Sequence, residues 1–215
     1  MKCKYCKGKC VKRGTTNRRQ RYQCKECNKY QQLTYTYNKE KRNESLLKKL
    51  NNEGLGISSI SRIINIPKTT VLRLIEKISK ETEPKEIEET EQMYEMDELR
   101  TFVGNKKNES WVIYAINKIN GHVIDFCVGR RTKENLKKVV ESILKLNPKK
   151  IFTDGLNIYP SLIPEAIHRV FVYNTNKIER HNLTLRTHIK RLTRKTICFS
   201  RSEDMLYNCV KLYLS

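Results

Sequence analysis

Residues 111–129 read WVIYAINKINGHVIDFCVG, and this stretch decides the fold of the second half of the chain. Two strand-like apolar runs, residues 111–117 and 123–129, flank a polar segment that contains Asn120-Gly121. An Asn-Gly pair between two such runs is a strong hairpin signal. The stretch therefore predicts two antiparallel strands, and the apolar run at residues 93–103 predicts a third strand that precedes them in a meander.

Downstream of the meander the hydrophobic pattern alternates between helix and strand. Thr132 is predicted to cap a long amphipathic helix, and residues 149–154 form a short buried strand after Pro148. A helix or turn at residues 159–166, a strand at 168–173 and a helix at 176–192 complete the order. Strands that follow crossovers extend the meander, so the sequence predicts an α/β domain with a mixed five-stranded sheet.

Three acidic residues fall at the ends or edges of these predicted elements. Asp97 lies on the first strand of the meander, Asp154 ends the fourth strand, and Glu179 opens the last helix. A right-handed crossover would place the fourth strand beside the first and bring the carboxylates to one edge of the sheet. Three carboxylates at one edge can hold divalent metal ions against a phosphodiester.

Other acidic residues compete for this role. Glu98 adjoins Asp97 but is expected to face the opposite side of the strand. Asp125 lies in mid-strand and is interpreted as a surface or structural residue. Glu95 shares the face of Asp97 and is the best rival.

The charge of the chain indicates a polyanionic partner. Its 215 residues include 44 Lys and Arg against 23 Asp and Glu, a formal net charge of +21. Such an excess favours a nucleic-acid partner, although ribosomal and membrane-surface proteins can carry similar charge. The sequence contains no run of about 18 apolar residues, so it predicts no membrane span. The amino terminus lacks the apolar core of a signal peptide. A cytoplasmic, nucleoid-associated protein is expected.

Residues 1–38 are predicted to form a zinc ribbon. Cys3 and Cys6 make one Cys-x-x-Cys pair, and Cys24 and Cys27 make a second pair after 17 intervening residues. Two such pairs complete a tetrahedral shell for a structural Zn²⁺ ion, whereas a redox dithiol would need only one. Cys10 lies outside the pattern and is either a substitute ligand or a bystander.

Residues 39–80 are predicted to form a helix-turn-helix domain. Apolar stripes indicate helices at residues 44–52, 57–64 and 70–80, and Asn65-Ile66-Pro67 makes a tight turn between the last two. The second helix of this motif enters the major groove of DNA, although a three-helix bundle used for dimerisation has a similar pattern. The predicted DNA contacts are Lys68, Thr69, Thr70, Arg73 and Lys77.

An acidic segment separates this domain from the α/β domain. Residues 81–97 hold eight acidic residues and one basic residue. Charge repulsion would keep residues 81–92 extended as a linker. The alternative is a charged extension of the preceding helix.

Four motifs of the α/β domain carry a family resemblance. They are Asp97-Glu98, Phe102-Val103-Gly104, Thr153-Asp154-Gly155 with Tyr159, and Ile178-Glu179-Arg180-His181-Asn182-Leu183. In these motifs the sequence is similar to transposases of the insertion sequence one family, within the DDE superfamily of transposases and retroviral integrases. That family also places a zinc finger and a helix-turn-helix before its catalytic domain.

The resemblance implies a fold, a reaction and partners. Residues 93–215 would form an RNase H-like catalytic domain in which Asp97, Asp154 and Glu179 are catalytic and bind two Mg²⁺ (or Mn²⁺) ions. Water would cleave at the ends of the element, and the freed 3′-hydroxyl would attack target DNA. The implied partners are double-stranded DNA, as terminal inverted repeats and as target, and further copies of the chain in a homodimer or higher oligomer.

The residues around Glu179 suggest a path for DNA. His181 and Asn182 are assigned either an auxiliary role at the scissile phosphate or a structural one. An alternative function is a DNA-binding regulator whose RNase H-like domain is catalytically inactive. The basic residues predicted to follow the DNA backbone are Arg180, Arg186, Lys190, Arg191 and Arg194.

Overall fold

The computed structural model describes residues 1–33, 44–83, 90–170 and 176–215. It divides the chain into two compact units, Met1–Arg42 and Asn43–Ser215. Among the described residues, no helix has the length and apolar character needed to cross a membrane.

The first unit is a small antiparallel sheet of three strands. The strands are β1 (Cys10–Thr16), β2 (Arg19–Cys24) and β3 (Tyr30–Gln32), in the order β1-β2-β3. Asn17 and Arg18 form the tight turn between β1 and β2 with φ angles of 51° and 60°. Two successive positive φ angles match the twist of a two-residue hairpin. The segment between the two cysteine pairs therefore forms a hairpin.

The second unit begins with three helices, α1 (Glu44–Asn52), α2 (Ile57–Ile64) and α3 (Lys68–Glu81). Their apolar stripes supply the buried residues of a common core. Between α2 and α3, Asn65 takes a left-handed conformation with φ 56°, and its backbone N–H donates to the carbonyl of Ser61. Pro67 then precedes α3 directly. A left-handed residue ends one helix, and the fixed φ of proline suits the start of the next.

The sheet of the second unit has five strands, as the sequence predicts. The strands are β4 (Met93–Phe102), β5 (Glu109–Asn117), β6 (Val123–Gly129), β7 (Lys150–Thr153) and β8 (His168–Val170). Their order is β6-β5-β4-β7-β8, antiparallel across β4, β5 and β6 and parallel across β4, β7 and β8. The sheet is thus mixed, and β7 lies beside β4.

Helices cover both faces of this sheet. Helix α4 (Lys133–Leu144) packs on one face, where Thr132 caps its first turn. Helices α5 (Asn176–His188) and α6 (Glu203–Leu214) pack on the other face. Because strand residues alternate, Met96 lies in the first core and Leu99 in the second.

Helix α6 is an element that the sequence analysis does not predict. Its local signals are present, since the Ser202 side chain caps it and Glu203 and Asp204 occupy its first turn. Leu206 and Val210 pack on the sheet, whereas Cys209 and Leu212 pack on the core of α1, α2 and α3. The helix is therefore buried on two sides, and the three amino-terminal helices share a core with the α/β part. Their division into separate domains stays a prediction.

Several predicted boundaries differ from the structure. Helix α3 begins at Lys68 instead of residue 70. Helix α5 ends at His188 instead of residue 192, and the Thr193 hydroxyl donates to the carbonyl of Arg186 at 2.8 Å. This bond satisfies a carbonyl that the helix end leaves open. Helix α3 reaches Glu81, one residue into the predicted linker. Residues 84–89 of that linker and the predicted strand end at 171–173 lie outside the described residues.

Candidate functional site

Asp97 lies on β4 just beyond the segment that pairs with β7. Its Oδ1 accepts from the backbone N–H of Glu98 at 2.7 Å, and its Oδ2 accepts from Nδ2 of Asn182 at 2.6 Å. These two bonds hold the carboxylate of a half-buried residue in one orientation. Free lone pairs remain on both oxygens, since each carboxylate oxygen can accept more than one bond.

Asp154 follows β7 directly and is exposed. Its Oδ1 accepts from the backbone N–H of Leu156 at 3.0 Å. Strand β7 runs parallel to β4 and beside it, so Asp154 at the carboxyl end of β7 lies next to Asp97 on β4. One carboxylate oxygen from each of Asp97, Glu98 and Asp154 lies within 4.8 Å of the others. Three hard oxygen donors at this separation suit Mg²⁺ or Mn²⁺.

Glu98 faces the opposite side of β4 from Asp97, as expected, since its carboxylate accepts a hydrogen bond from Tyr159 in the α4-side core. Its place in the carboxylate cluster is a finding that the sequence does not predict. Strand alternation assigns a side chain to a face, but among the described residues the pairing of β7 with β4 extends only to Glu95. Beyond the end of β7, carboxylates from both faces of β4 can meet.

Burial and the repulsion of neighbouring carboxylates raise the pKa values of Asp97 and Glu98. Burial is the main cause of the raised pKa of Asp97, and the negative charges of Asp154 and Glu179 add to it. Burial also raises the pKa of Glu98 to about 7, with further repulsion from Asp154 and Asp97. A nearby positive charge stabilises the ionised form of carboxyl groups whose pKa is raised in this way.

Glu179 occupies the first turn of α5 and is exposed. Its carboxylate lies outside the 4.8 Å cluster, yet it is near enough to raise the pKa of Asp97. Asn182 lies three residues later on the same helical face, and it is this residue that binds Asp97. The structure therefore brings the helix of Glu179 to the cluster.

Asn182 and His181 belong to a buried hydrogen-bond network behind Asp97. The hydroxyl of Tyr114 donates to Oδ1 of Asn182 at 2.8 Å, and Nδ1 of His181 lies 3.2 Å from the same hydroxyl. Burial lowers the pKa of His181, which favours a neutral ring. Asn182 therefore orients the Asp97 carboxylate, and the auxiliary or structural role of both residues in the reaction stays a prediction.

Glu95 is engaged elsewhere, although it shares the face of Asp97. It is 1% exposed, and its Oε2 accepts from the backbone N–H of Ile178 at 2.7 Å. That N–H belongs to the first turn of α5, which has no partner within the helix. Lys118 donates to the other oxygen at 2.6 Å. Glu95 therefore attaches the start of α5 to β4 and holds the helix that carries Glu179.

A basic groove of about 890 Å³ adjoins Glu179 on α5. Arg186 lines it, but its guanidinium also donates to the carbonyls of Leu192 and Arg100 at 2.7 and 3.0 Å. Arg191 is 9% exposed and donates to the hydroxyl of Ser200. Because its charge lies in the interior, the structure argues against the predicted DNA contact of Arg191. The exposed cations of this region are Arg180, Lys190, Arg194 and Lys195.

The four paired cysteines of the first unit also converge. Their sulfur atoms lie within 4.8 Å of one another. Backbone N–H groups of Tyr5 and Glu26 donate to the sulfurs of Cys3 and Cys24, each at 3.4 Å. Backbone hydrogen bonds from Cys6 and Cys27 are the main cause of the lowered pKa values of Cys3 and Cys24, to about 6 for Cys3, and the bonds from Tyr5 and Glu26 add to them. A tetrahedral zinc shell with bonds of about 2.3 Å needs sulfur separations of roughly 3.8 Å, so the cluster fits the ion.

The outward face of α3 carries the predicted contacts of the helix-turn-helix. Lys68, Thr69 and Arg73 are exposed, and Thr70 is half-buried. Lys77 is exposed too, but its ammonium pairs with Glu44 at 2.9 Å and with Glu81 at 3.6 Å. The first two turns of α3 therefore offer the free polar surface.

Comparisons with known proteins agree with this architecture. A family model described as IS1 transposase matches residues 92–215. Insertion element iso-IS1n protein InsB of Shigella dysenteriae is 40% identical over 111 residues, which cover 52% of this chain and 85% of the relative. Insertion element IS1 protein InsB of Shigella flexneri is 34% identical over 121 residues, covering 56% and 92%.

A solved structure gives a weaker similarity. A chain in the complex of the simian T-cell lymphotropic virus intasome with PP2A regulatory subunit B56 gamma aligns with a TM-score of 0.40 and 15% identity. The alignment covers 76% of this chain and 66% of that chain. A TM-score this low does not establish a shared fold.

Proposed function

The chain belongs to the IS1 transposase family, and we propose that it is the DNA transposase of an insertion sequence. In this proposal the protein binds the terminal inverted repeats of its element and catalyses Mg²⁺-dependent strand cleavage and strand transfer on an RNase H-like domain. The observation that carries the proposal is that the carboxylates of Asp97 and Asp154 lie together at the carboxyl end of β7. Helix α5 is hydrogen-bonded to Asp97 through Asn182.

The proposed catalytic residues are Asp97, Asp154 and Glu179. When bound, divalent ions would activate the attacking oxygen and neutralise charge on the leaving oxygen. The chain's own contribution is orientation. Asn182 holds the Asp97 carboxylate, and the Glu95 bond to Ile178 holds the first turn of α5, so that Glu179 faces the groove beside the cluster.

The groove and the exposed face of α3 are the proposed DNA contacts. In the groove, Lys190 and Arg194 place exposed positive charge beside Glu179, which suits phosphate contacts. On α3, Lys68, Thr69 and Arg73 are exposed where a recognition helix meets base edges. Phosphate neutralisation makes the affinity depend on salt, so binding should weaken steeply between 50 and 200 mM salt.

Two further parts of the proposal concern the zinc site and the assembly. We propose that Cys3, Cys6, Cys24 and Cys27 hold a structural Zn²⁺ ion, because metal binding supplies folding energy that so small a core lacks. We also propose a dimer or higher oligomer on DNA, because one transposition event has to bring two element ends together.

The test uses the purified full chain and DNA duplexes that carry the element's terminal inverted repeats. With Mg²⁺ the wild type should cleave and join these ends, and Asp154→Asn should abolish both reactions while binding persists. Ca²⁺ should permit binding without cleavage. Glu109→Gln is the matched control, because Glu109 is exposed and pairs with Arg100 away from the cluster. Binding without cleavage by the wild type would favour the inactive regulator instead.

A further inference from the structure

Glu98 is a buried carboxylate that accepts a hydrogen bond from a neutral donor. It is 8% exposed, and the hydroxyl of Tyr159, which is fully buried, donates to its Oε1. Among the described residues, no Lys or Arg forms an ion pair with Glu98. The carboxylates of Asp154 and Asp97 repel its charge, and Arg131 attracts it without forming an ion pair.

Burying an ionised carboxylate in this way costs free energy unless a cation lies beside it. A buried ionised carboxylate loses its hydration, and a single neutral hydrogen bond replaces only part of it. Buried charges are therefore found paired or bound to metal ions. The Glu98 carboxylate also has an oxygen within 4.8 Å of oxygens from Asp97 and Asp154, the two residues that the proposed function assigns to a divalent ion.

The bond from Tyr159 gives the carboxylate a defined direction. Tyr159 lies in a short 3₁₀ turn after β7, and its ring packs in the core between the sheet and α4. A phenol held in this way constrains the carboxylate that it contacts. Carboxylates that bind metal ions commonly accept such a hydrogen bond, and the residue that donates it changes the metal affinity about 10- to 100-fold.

We propose that Glu98 is a further carboxylate ligand of the divalent cation held by Asp97 and Asp154, and that Tyr159 is the positioning residue for Glu98. This inference rests on the proposed function, because it uses the same metal site. It adds a fourth acidic residue to the three that the family resemblance implies.

The test measures Mn²⁺ binding to the full, zinc-loaded chain without DNA, by titration calorimetry and by the rise in melting temperature. We expect Glu98→Gln to bind Mn²⁺ at least about tenfold more weakly than the wild type and Tyr159→Phe to fall between them. Mn²⁺ should raise the melting temperature of the wild type more than that of Glu98→Gln, because at a given Mn²⁺ concentration a lower Kd gives the folded state more stabilisation. Asp154→Asn reports on the proposed site itself, and Glu109→Gln is the control.

The outcomes separate the inference from the proposed function. If Asp154→Asn loses Mn²⁺ but Glu98→Gln binds it like the wild type, the ligand role of Glu98 is wrong and the proposed site stands. If the wild type binds no Mn²⁺, or Asp154→Asn binds as well as the wild type, both are wrong. If Glu98→Gln were to unfold, Glu98→Asp would replace it, and its binding should lie below that of the wild type.

Discussion

The cysteine cluster of the first unit and the carboxylate cluster of the sheet edge are assembled in different ways. The cysteines come in two local pairs, each of which spans four residues, and a hairpin joins the pairs. The carboxylates come from β4 and from the end of β7, more than fifty residues apart in sequence. A cluster built from local pairs is readable from spacing, whereas a cluster built at a sheet edge depends on strand order.

The largest expected effect concerns the cysteine cluster. Cys24→Ser should abolish stoichiometric Zn²⁺ binding and unfold the first unit, because the ion supplies on the order of 10 kcal/mol to such small folds. Zinc content and the amide NMR spectrum of the full chain measure this. Cys10→Ala is the control, because Cys10 is buried but lies outside the four-sulfur cluster. Zinc loss by Cys10→Ala and retention by Cys24→Ser would reverse the assignment.

The second effect tests how the sheet edge holds α5. Glu95→Ala should destabilise the second unit by about 3 kcal/mol, because it leaves the Ile178 N–H and Lys118 without their buried partner. Urea unfolding measures this. Glu109→Ala, which breaks an exposed pair with Arg100, should cost under about 1 kcal/mol. Equal effects from the two variants would contradict the anchoring role of Glu95.

The third effect follows from the raised pKa of Glu98, about 7 against an ordinary value of 4.5. Between these two pH values the folded protein binds more protons than the unfolded chain, so the stability contributed by this group falls as pH rises. Without divalent metal, the wild type should lose about 1–3 kcal/mol more than Glu98→Gln between pH 4.5 and 7. Thermal unfolding across this range measures the difference. Parallel pH profiles of the two proteins would contradict it.

The smallest effect concerns the network behind Asp97. Tyr114→Phe removes the hydroxyl that donates to Asn182 and should cost about 1 kcal/mol. The cleavage rate should fall with it, because Asn182 would orient Asp97 less firmly. Tyr207→Phe is the matched control, since Tyr207 stacks on Phe126. An unchanged cleavage rate in Tyr114→Phe would mean that the network does not contribute to orientation.

The sequence predicts the helices and strands better than it predicts which side chains meet where those elements end. The mixed five-stranded sheet and the helices α1 and α2 follow from hydrophobic periodicity, because each pattern is local. The place of Glu98 in the cluster is not predictable from alternation, which gives the face of a side chain but not the point where a neighbouring strand ends. The sequence predicts a DNA contact for Arg191, but its position depends on Ser200, which follows the helix end. Helix α6 has local signals in the sequence, namely a Ser cap and a periodic core face.

The central claim is that Asp154 holds a divalent ion at the reacting phosphodiester, and a change of metal preference tests it most directly. Asp154→Cys replaces a hard oxygen ligand by a thiolate, which favours softer ions than Mg²⁺. The measurement is strand transfer of terminal-repeat DNA by the wild type and this variant, in Mg²⁺ and in Mn²⁺. We predict that the variant is inactive in Mg²⁺ and regains activity in Mn²⁺. Full activity of Asp154→Cys in Mg²⁺ would contradict the claim.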